Sequence, residues 1–251
     1  MATRRQILIA GAGAAGLVGA FQLAPGFLSR LTGPDFAPWP HVAGFRTVEG
    51  GGSVSGGGGI DVLAGIEPPA PIPGAAMEAV RADPCEALFP GDLAAGAVPA
   101  AYFTDHYCPY CRVLSDLLAE VASEEGLAVA HHFTPVFGRS SDLAARAVLA
   151  ARAQGGFGTL NDRLMSTAIR ITPRSLARIA AEAGLDPDRL APDMADPGID
   201  RALARDRALA RIFGFPGTPA LVVNRTVIVG RVEPATLRAV IAAERDAPRP
   251  C

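Results

Sequence analysis

The sequence predicts an α/β fold, and three observations indicate it. An apolar run at residues 98–104 leads into a helical pattern whose first turn contains two cysteines, and a second apolar run at 127–133 follows that helix. A mainly helical stretch then covers about 141–213. Two short apolar runs, 220–223 and 226–229, are separated by a tight turn and precede a last helix. Such an alternation of strands and helices is typical of a sheet covered by helices.

The composition excludes several functional classes. The chain has 251 residues and a formal net charge of −2, and its 49% hydrophobic and 19% charged residues exclude wholesale disorder. This near-neutral charge argues against a broad basic surface, so no nucleic-acid partner is expected. All 23 basic residues are arginine, which excludes a Schiff-base lysine and the lysine of a phosphate-binding loop. Four cysteines are too few for a disulfide-dense scaffold.

Residues 1–28 are predicted to be a signal peptide or a membrane anchor. Arg4 and Arg5 precede an uncharged stretch of apolar and small residues, a pattern typical of export sequences and similar in part to the twin-arginine type. The protein is therefore expected in the periplasm, either soluble or anchored by its N-terminus. The alternative is a dinucleotide-binding oxidoreductase that uses the glycine pattern Gly11–Gly16. Against it, no second strand ending in an acidic residue follows at the spacing that this motif needs.

Residues 29–96 are predicted to be a Gly- and Pro-rich extension whose structure the sequence does not define. Its glycine runs favour a flexible linker. Residues 45–48 and 60–63, on either side of those runs, could instead pair as short strands. Residues 75–89 have a helical pattern that includes Cys85.

The regular part of the pattern begins at residue 97. Residues 98–104 are predicted to form a buried strand, and the next three residues form a turn. The helix after the turn places one set of apolar residues on a single face: Val113, Leu114, Leu117, Leu118 and Val121. The strand at 127–133 directs His131 and His132 to opposite faces of the sheet.

Helix starts and a turn delimit the rest of the chain. Thr172-Pro173 and Asp186-Pro187 each combine an N-cap residue with proline at the first helical position, within the stretch 141–213. Gly217-Thr218-Pro219 then precedes the two final strands, and the last helix is predicted at about 234–245.

The two cysteines at the start of a helix indicate redox chemistry. A cysteine at a helix N-terminus lies near unpaired N–H groups and the positive end of the helix dipole, which stabilise a thiolate. Cys108 has that position and is predicted to be the exposed nucleophile. Cys111 lies one turn further, within disulfide distance, and is predicted to be the buried resolving thiol. Pro109 suits the first helical turn because it has no N–H to satisfy, and Tyr110 completes the motif.

Two other interpretations use the same cysteines. A zinc site needs two more ligands, and Cys85, His131 and His132 have no matching spacing, so no metal site is expected. A copper metallochaperone could bind Cu(I) through Cys108 and Cys111, but the internal methionines are scattered along the chain. Asp105 and His106, just before the motif, either tune it electrostatically or belong to a plain turn.

The order of elements and two short segments together resemble a known family. Phe103–Cys111 is similar to the active-site segment of DsbC- and DsbG-type enzymes, and Gly217–Ala220 is similar to their cis-proline segment. The long helical stretch resembles the DsbA-like branch of thiol–disulfide oxidoreductases, which have a thioredoxin-like fold with a helical insertion. The resemblance covers residues 97–246.

This resemblance implies a function and a second part of the site. It implies a cis bond between Thr218 and Pro219 beside the cysteines, with the Thr218 main chain pairing with an extended substrate. The expected partners are protein thiols and disulfides, together with a redox partner protein in the membrane or periplasm, and no cofactor is expected. Strong oxidants of this family carry histidine where Tyr110 stands, so a strongly oxidising potential is not expected.

The remaining cysteines, Cys85 and Cys251, are a candidate structural disulfide. Idle thiols are uncommon in exported proteins, and a bond between these two would tie the extension to the C-terminus. A free thiol and a bridge to another chain are the alternatives.

Overall fold

The computed structural model describes residues 34–48, 71–91, 96–167 and 169–249. The chain divides into two units, Met1–Asp35 and Phe36–Cys251, and the strands and helices below belong to the second. The predicted signal peptide or anchor and the glycine pattern Gly11–Gly16 lie outside the described residues. Within the described ranges, no helix combines the length and the apolar character needed to cross a membrane.

In the described part of the second unit, a mixed sheet of six strands has the strand order β1-β2-β6-β5-β3-β4. Its strands are β1 (Phe36–Pro38), β2 (Arg46–Val48), β3 (Val98–Thr104), β4 (Leu127–Phe133), β5 (Ala220–Val223) and β6 (Thr226–Val229). Strand β3 pairs in parallel with β4 and antiparallel with β5, which forms a hairpin with β6. The four strands predicted between residues 98 and 229 are confirmed at their predicted bounds.

The extension contributes the other two strands of this sheet. Strand β2 pairs antiparallel with β1 on one side and parallel with β6 on the other. Both sides of β2 are therefore taken, so the alternative in which it pairs with residues 60–63 is wrong. Residues 60–63 themselves lie outside the described ranges. The partners of β2 are distant in the sequence, and a local pattern cannot identify them.

Two short helices replace the single helix predicted at 75–89. They are α1 (Gly74–Ala82) and α2 (Pro84–Leu88), separated at Asp83. Proline disfavours helical backbone in the residue before it, and Asp83 accordingly has φ −146° and ψ 86°. The Asp83 carboxylate accepts the Glu86 N–H at 2.9 Å and so caps the second helix.

The helix that begins with the cysteine motif is α3 (Pro109–Glu125). Leu114, Leu118 and Val121 are buried on its inner face, whereas Val113 is 57% exposed. The buried face of α3 is therefore narrower than the predicted apolar face. The helix ends at Gly126, whose φ of 64° is in the left-handed region that glycine adopts without steric cost.

The helical insertion is confirmed and begins slightly earlier than predicted. Its helices are α4 (Arg139–Ala150), α5 (Phe157–Met165), α6 (Pro173–Glu182), α7 (Pro187–Asp193) and α8 (Pro197–Ile212), with a 3₁₀ turn at Ala151–Gln154. The predicted starts at Thr172-Pro173 and Asp186-Pro187 are confirmed, since both cap residues accept backbone N–H groups. The insertion has its own apolar core, which Phe133 of β4 joins to the sheet.

The two faces of the sheet bury two further cores. Ala100 and Tyr102 of β3 face one core, with α3 and the last helix α9 (Pro234–Arg245), while Ala101 and Phe103 face the other, with α8 and α1. Because both faces are covered, β3 is buried throughout and mostly apolar rather than alternating.

A buried carboxylate joins the extension to the C-terminal helix. Glu244 of α9 accepts hydrogen bonds from Arg46 at 2.7 Å, from Asn224 at 2.9 Å and from the Thr226 hydroxyl. Its side chain is fully buried, so its charge depends on these donors. The cluster therefore fixes β2, the β5–β6 turn and α9 to one another.

Replacing Glu244 with glutamine should lower the free energy of unfolding by about 2 kcal/mol, because the half-buried Arg46 loses its anionic partner. Urea denaturation checks this. Glu124→Gln, which alters an exposed pair with Arg238, is the matched control and should leave the midpoint unchanged. Equal midpoints for the two variants would contradict a stabilising role for the cluster.

Candidate active site

The N-terminus of α3 positions the first cysteine. Cys108 is the N-cap residue, and its sulfur accepts the Cys111 N–H at 3.2 Å. The Cys108 carbonyl also accepts N–H groups of the first turn, from Cys111 at 3.1 Å and from Arg112 at 3.4 Å. Pro109 occupies the first helical position and leaves no donor unsatisfied there. Both cysteines are in the dithiol form.

The exposure predicted for Cys108 is wrong, because Cys108 and Cys111 are both 0% exposed. The Cys108 sulfur points inward and donates to the Thr218 carbonyl at 3.4 Å. Pro109 and Tyr110 are at the surface in its place. The two cysteines therefore differ in their position at the helix N-terminus, where Cys108 is the N-cap residue, and not in their exposure.

Burial has the largest influence on the pKa of the second cysteine, Cys111. The pKa of the Cys111 thiol is raised far above its ordinary value, first by burial and then by the hydrogen bond and charge of Cys108. The Asp105 backbone and the Thr218 side chain oppose this rise in the pKa. The Tyr102 hydroxyl donates to the Cys111 carbonyl at 2.8 Å, so β3 supports the first turn of α3 directly.

The loop before β5 approaches the cysteines from the other side. The Thr218–Pro219 peptide bond is cis. Thr218 is buried, with its carbonyl at Cys108, and its hydroxyl has no nitrogen or oxygen hydrogen-bond partner in the described part of the chain. Thr218 therefore lies at both sulfurs, with its carbonyl near Cys108 and its side chain near Cys111.

Asp105 and His106 face the helical insertion. The Asp105 carboxylate is buried and accepts hydrogen bonds from the Tyr107 N–H at 2.8 Å and the Ser141 hydroxyl at 2.8 Å. Burial raises the pKa of Asp105, and these hydrogen bonds oppose the rise. His106 is hydrogen-bonded to Asn161 at 3.2 Å, and burial lowers its pKa to about 4. His106 is thus uncharged at neutral pH.

Two residues that flank the motif were not found from the sequence. The Tyr107 hydroxyl accepts the Ile171 N–H, and the Arg112 guanidinium donates to the Thr167 carbonyl. Each contact joins the motif to a segment more than 50 residues away. In the sequence, the one sign of their role is that Tyr107 and Arg112 directly flank the two cysteines.

Large apolar side chains are exposed around this site. In the described part of the chain they are Tyr110 at 38%, Val113 at 57% and Ile169 at 46%. Tyr110 and Val113 lie in the first turns of α3, and Ile169 lies between the two residues, 167 and 171, that contact the motif. The site therefore opens onto a partly apolar surface.

The other candidate residues lie away from the cysteine pair. His131 and His132 point to opposite faces, as predicted; His132 binds Asp206 at 2.9 Å and the Leu88 carbonyl at 2.8 Å, and joins β4 to α8 and α2. Cys85 is disulfide-bonded, whereas Cys251 lies outside the described residues, so their pairing stays a prediction. No group of three or more His, Cys, Asp or Glu side chains in the described ranges is arranged to hold a metal.

Comparison with known proteins identifies similar folds and sequences. Residues 112–242, which begin just after Cys111, match the family described as DSBA-like thioredoxin domain. A thioredoxin-like oxidoreductase from Silicibacter pomeroyi is 33% identical with a TM-score of 0.59, and the match covers 65% of this chain and 99% of that one. A periplasmic thioredoxin-like protein from Salmonella enterica serovar Typhimurium is 29% identical with a TM-score of 0.58, over 64% and 95%.

Two further matches are more limited. The thiol–disulfide exchange protein α-DsbA2 from Wolbachia pipientis has a TM-score of 0.60 over 67% of this chain and 95% of that one, but at 19% identity it shows the fold alone. A Na⁺/H⁺ antiporter NhaA from Herminiimonas arsenicoxydans is 30% identical over 151 residues, which are 59% of this chain and 24% of the antiporter. The chain thus spans only 20–24% of the length of the curated relatives that it matches.

Proposed function

Given that this chain belongs to the family of DSBA-like thioredoxin domains, we propose that it is an exported thiol–disulfide oxidoreductase that exchanges disulfides with protein substrates through Cys108 and Cys111. One observation carries the proposal: the Cys108 sulfur is at a helix N-terminus and accepts the Cys111 N–H at 3.2 Å. That donor and the helix dipole favour a thiolate, which is the species that attacks disulfides.

The reaction takes place in two exchanges at the Cys108 sulfur. The Cys108 thiolate attacks one sulfur of a substrate disulfide, a mixed disulfide forms, and the other substrate sulfur leaves as a thiolate. Cys111 then loses its proton and attacks the Cys108 sulfur, which releases the second substrate thiol and leaves a Cys108–Cys111 disulfide. Two electrons pass from the protein to the substrate; the reverse sequence oxidises a substrate dithiol.

The mixed disulfide itself activates Cys111. In the dithiol form, the hydrogen bond and the charge of Cys108 both raise the pKa of the Cys111 thiol. When Cys108 is bonded to substrate, its charge and its proton are gone, so burial is the one of these causes that still raises the pKa of Cys111, and the Asp105 backbone and the Thr218 side chain still oppose it. Cys111 therefore becomes more acidic at the step that needs its thiolate.

The surroundings of the pair favour an extended polypeptide as substrate. The Thr218 main chain lies at Cys108, where an extended segment could pair with it as an added strand. Main-chain pairing is largely independent of sequence and suits a broad range of substrates. The exposed side chains of Tyr110, Val113 and Ile169 provide apolar contact area beside that segment.

Export is supported by the predicted signal or anchor at residues 1–28 and by the similarity to a periplasmic thioredoxin-like protein from Salmonella enterica serovar Typhimurium. In that compartment the redox state of Cys108 and Cys111 requires a partner protein in the membrane or periplasm. A fusion of residues 1–35 to a reporter tests this part of the proposal. Retention of the reporter in the cytoplasm would contradict export.

The exchange activity is tested with the full chain in glutathione buffers of known redox ratio. We expect a Cys108–Cys111 disulfide that equilibrates with glutathione, and faster reduction of insulin by dithiothreitol when the protein is present. Absence of that disulfide, or no acceleration of insulin reduction or of oxidative refolding, would overturn the proposal. Tight Cu(I) binding without exchange would support the copper alternative.

Thr218→Val should slow the second exchange by about tenfold, because the hydroxyl near Cys111 is lost from the forming thiolate while the side-chain volume is kept. Thr218→Ser retains the hydroxyl and is the matched control, expected to remain close to the parent. The measurement is the decay of a mixed disulfide after rapid mixing with substrate. Equal decay for the two variants would exclude a role of the hydroxyl.

A further inference from the structure

The three residues directly before Cys108 each bind a different part of the helical insertion. The contacts are Asp105 to Val136 and Ser141, His106 to Asn161, and Tyr107 to Ile171. The residue directly after the motif makes a fourth contact, from Arg112 to the Thr167 carbonyl. The turn that presents Cys108 is thus held by the start of α4, by α5 and by the segment between α5 and α6.

Asp105 makes the largest number of these contacts. Its carboxylate is buried and accepts the Val136 N–H at 2.7 Å and the Ser141 hydroxyl at 2.8 Å, both at the entrance to α4. The same carboxylate accepts the Tyr107 N–H at 2.8 Å, and the Asp105 carbonyl accepts the Cys108 N–H at 3.1 Å. One residue therefore closes the turn before Cys108 and ties it to the insertion.

We propose that Asp105 is a positioning residue, which holds the Cys108 sulfur over the Cys111 N–H by fixing the turn to the start of α4. This inference rests on the proposed function of Cys108. The Asp105 side chain acts through the Tyr107 N–H and the Ser141 hydroxyl. The helical insertion would then help to position the Cys108 sulfur, in addition to covering the sheet.

Positioning and simple electrostatics predict opposite effects. A buried carboxylate near Cys108 repels a thiolate, so neutralising Asp105 would favour the thiolate if charge dominated. If positioning dominates, asparagine loosens the turn, because its amide N–H₂ meets N–H donors where the carboxylate accepted them. The Cys108 thiolate then loses its alignment with the Cys111 N–H and becomes less favourable.

The test is the ultraviolet thiolate absorbance of the reduced full-length protein as a function of pH. For Asp105→Asn we expect the first titration midpoint to rise by about one pH unit, a tenfold loss of thiolate at a fixed pH below it. A midpoint that falls would assign the effect to charge, and a midpoint that stays would remove the role altogether; either result overturns the proposal.

Ser141→Ala keeps the inference testable if Asp105→Asn does not fold. It removes one anchor of the carboxylate without changing any charge, and the midpoint should rise by about half a unit. Ser123→Ala is the matched control, since the Ser123 hydroxyl bonds the Glu120 carbonyl at the exposed end of α3, and should give no shift. Equal midpoints for these two variants would contradict the inference. Failure of the parent protein in insulin reduction would instead count against the proposed function.

Discussion

Replacing Cys108 with serine is expected to abolish disulfide exchange, with a loss of more than about a thousandfold, because a serine hydroxyl is not a nucleophile at neutral pH. A serine oxygen can still accept the Cys111 N–H that the Cys108 sulfur accepts at 3.2 Å, so the fold should be retained. Dithiothreitol-driven reduction of insulin measures the loss. The melting temperature, read on the same sample, confirms that the variant is folded.

The cysteine-matched control is Cys85→Ser. Cys85 lies in α2 and is disulfide-bonded, so exchange by this variant should continue at temperatures where it remains folded. Residual exchange by Cys108→Ser at even one-tenth of the parent rate would show that another sulfur is the nucleophile.

Cys111→Ser is expected to trap substrates on Cys108. Without a resolving thiol the second exchange stops, so covalent complexes should accumulate on non-reducing gels and turnover should fall by at least about a hundredfold. In the parent protein the pKa of Cys111 is raised by burial. At pH values below that pKa, each increase of one pH unit should therefore raise the thiolate fraction of Cys111, and with it the rate of resolution, about tenfold. Cys111→Ser should lose this pH dependence.

The two roles are distinguished by which variant accumulates complexes. Complexes with Cys108→Ser but not with Cys111→Ser would reverse the assignment of nucleophile and resolving thiol. A resolution rate in the parent that does not change with pH would contradict the protonated state of buried Cys111.

The local sequence pattern was sufficient to predict the strand and the helix that position the two cysteines. The strand Val98–Thr104 could be predicted because six of its seven residues, 98–103, are an unbroken uncharged and mainly apolar run. The spacing of Cys108 and Cys111 at the start of a helix follows from helical geometry. The break at Asp83 could also have been predicted, since Pro84 follows it. These features depend on neighbouring residues, which the sequence shows directly.

Features that depend on distant residues could not be predicted in this way. The burial of Cys108 results from its inward sulfur and from the Thr218 loop, 110 residues away. The placement of β2 beside β6 depends on a pairing across 180 residues, between Arg46 and Thr226. No periodicity in either segment identifies its partner, because a strand pattern specifies which face is buried and leaves the neighbour undefined.

The pairing of β2 with β6 matters for how the protein is handled as a fragment. A polypeptide that began at residue 97 would keep both cysteines but would leave the strand Thr226–Val229 with an open row of backbone N–H and C=O groups. That strand is mostly apolar, and an exposed apolar edge is a template for pairing with another molecule. Shortened forms that lack residues 36–48 should therefore aggregate, and soluble expression should require a start upstream of Phe36.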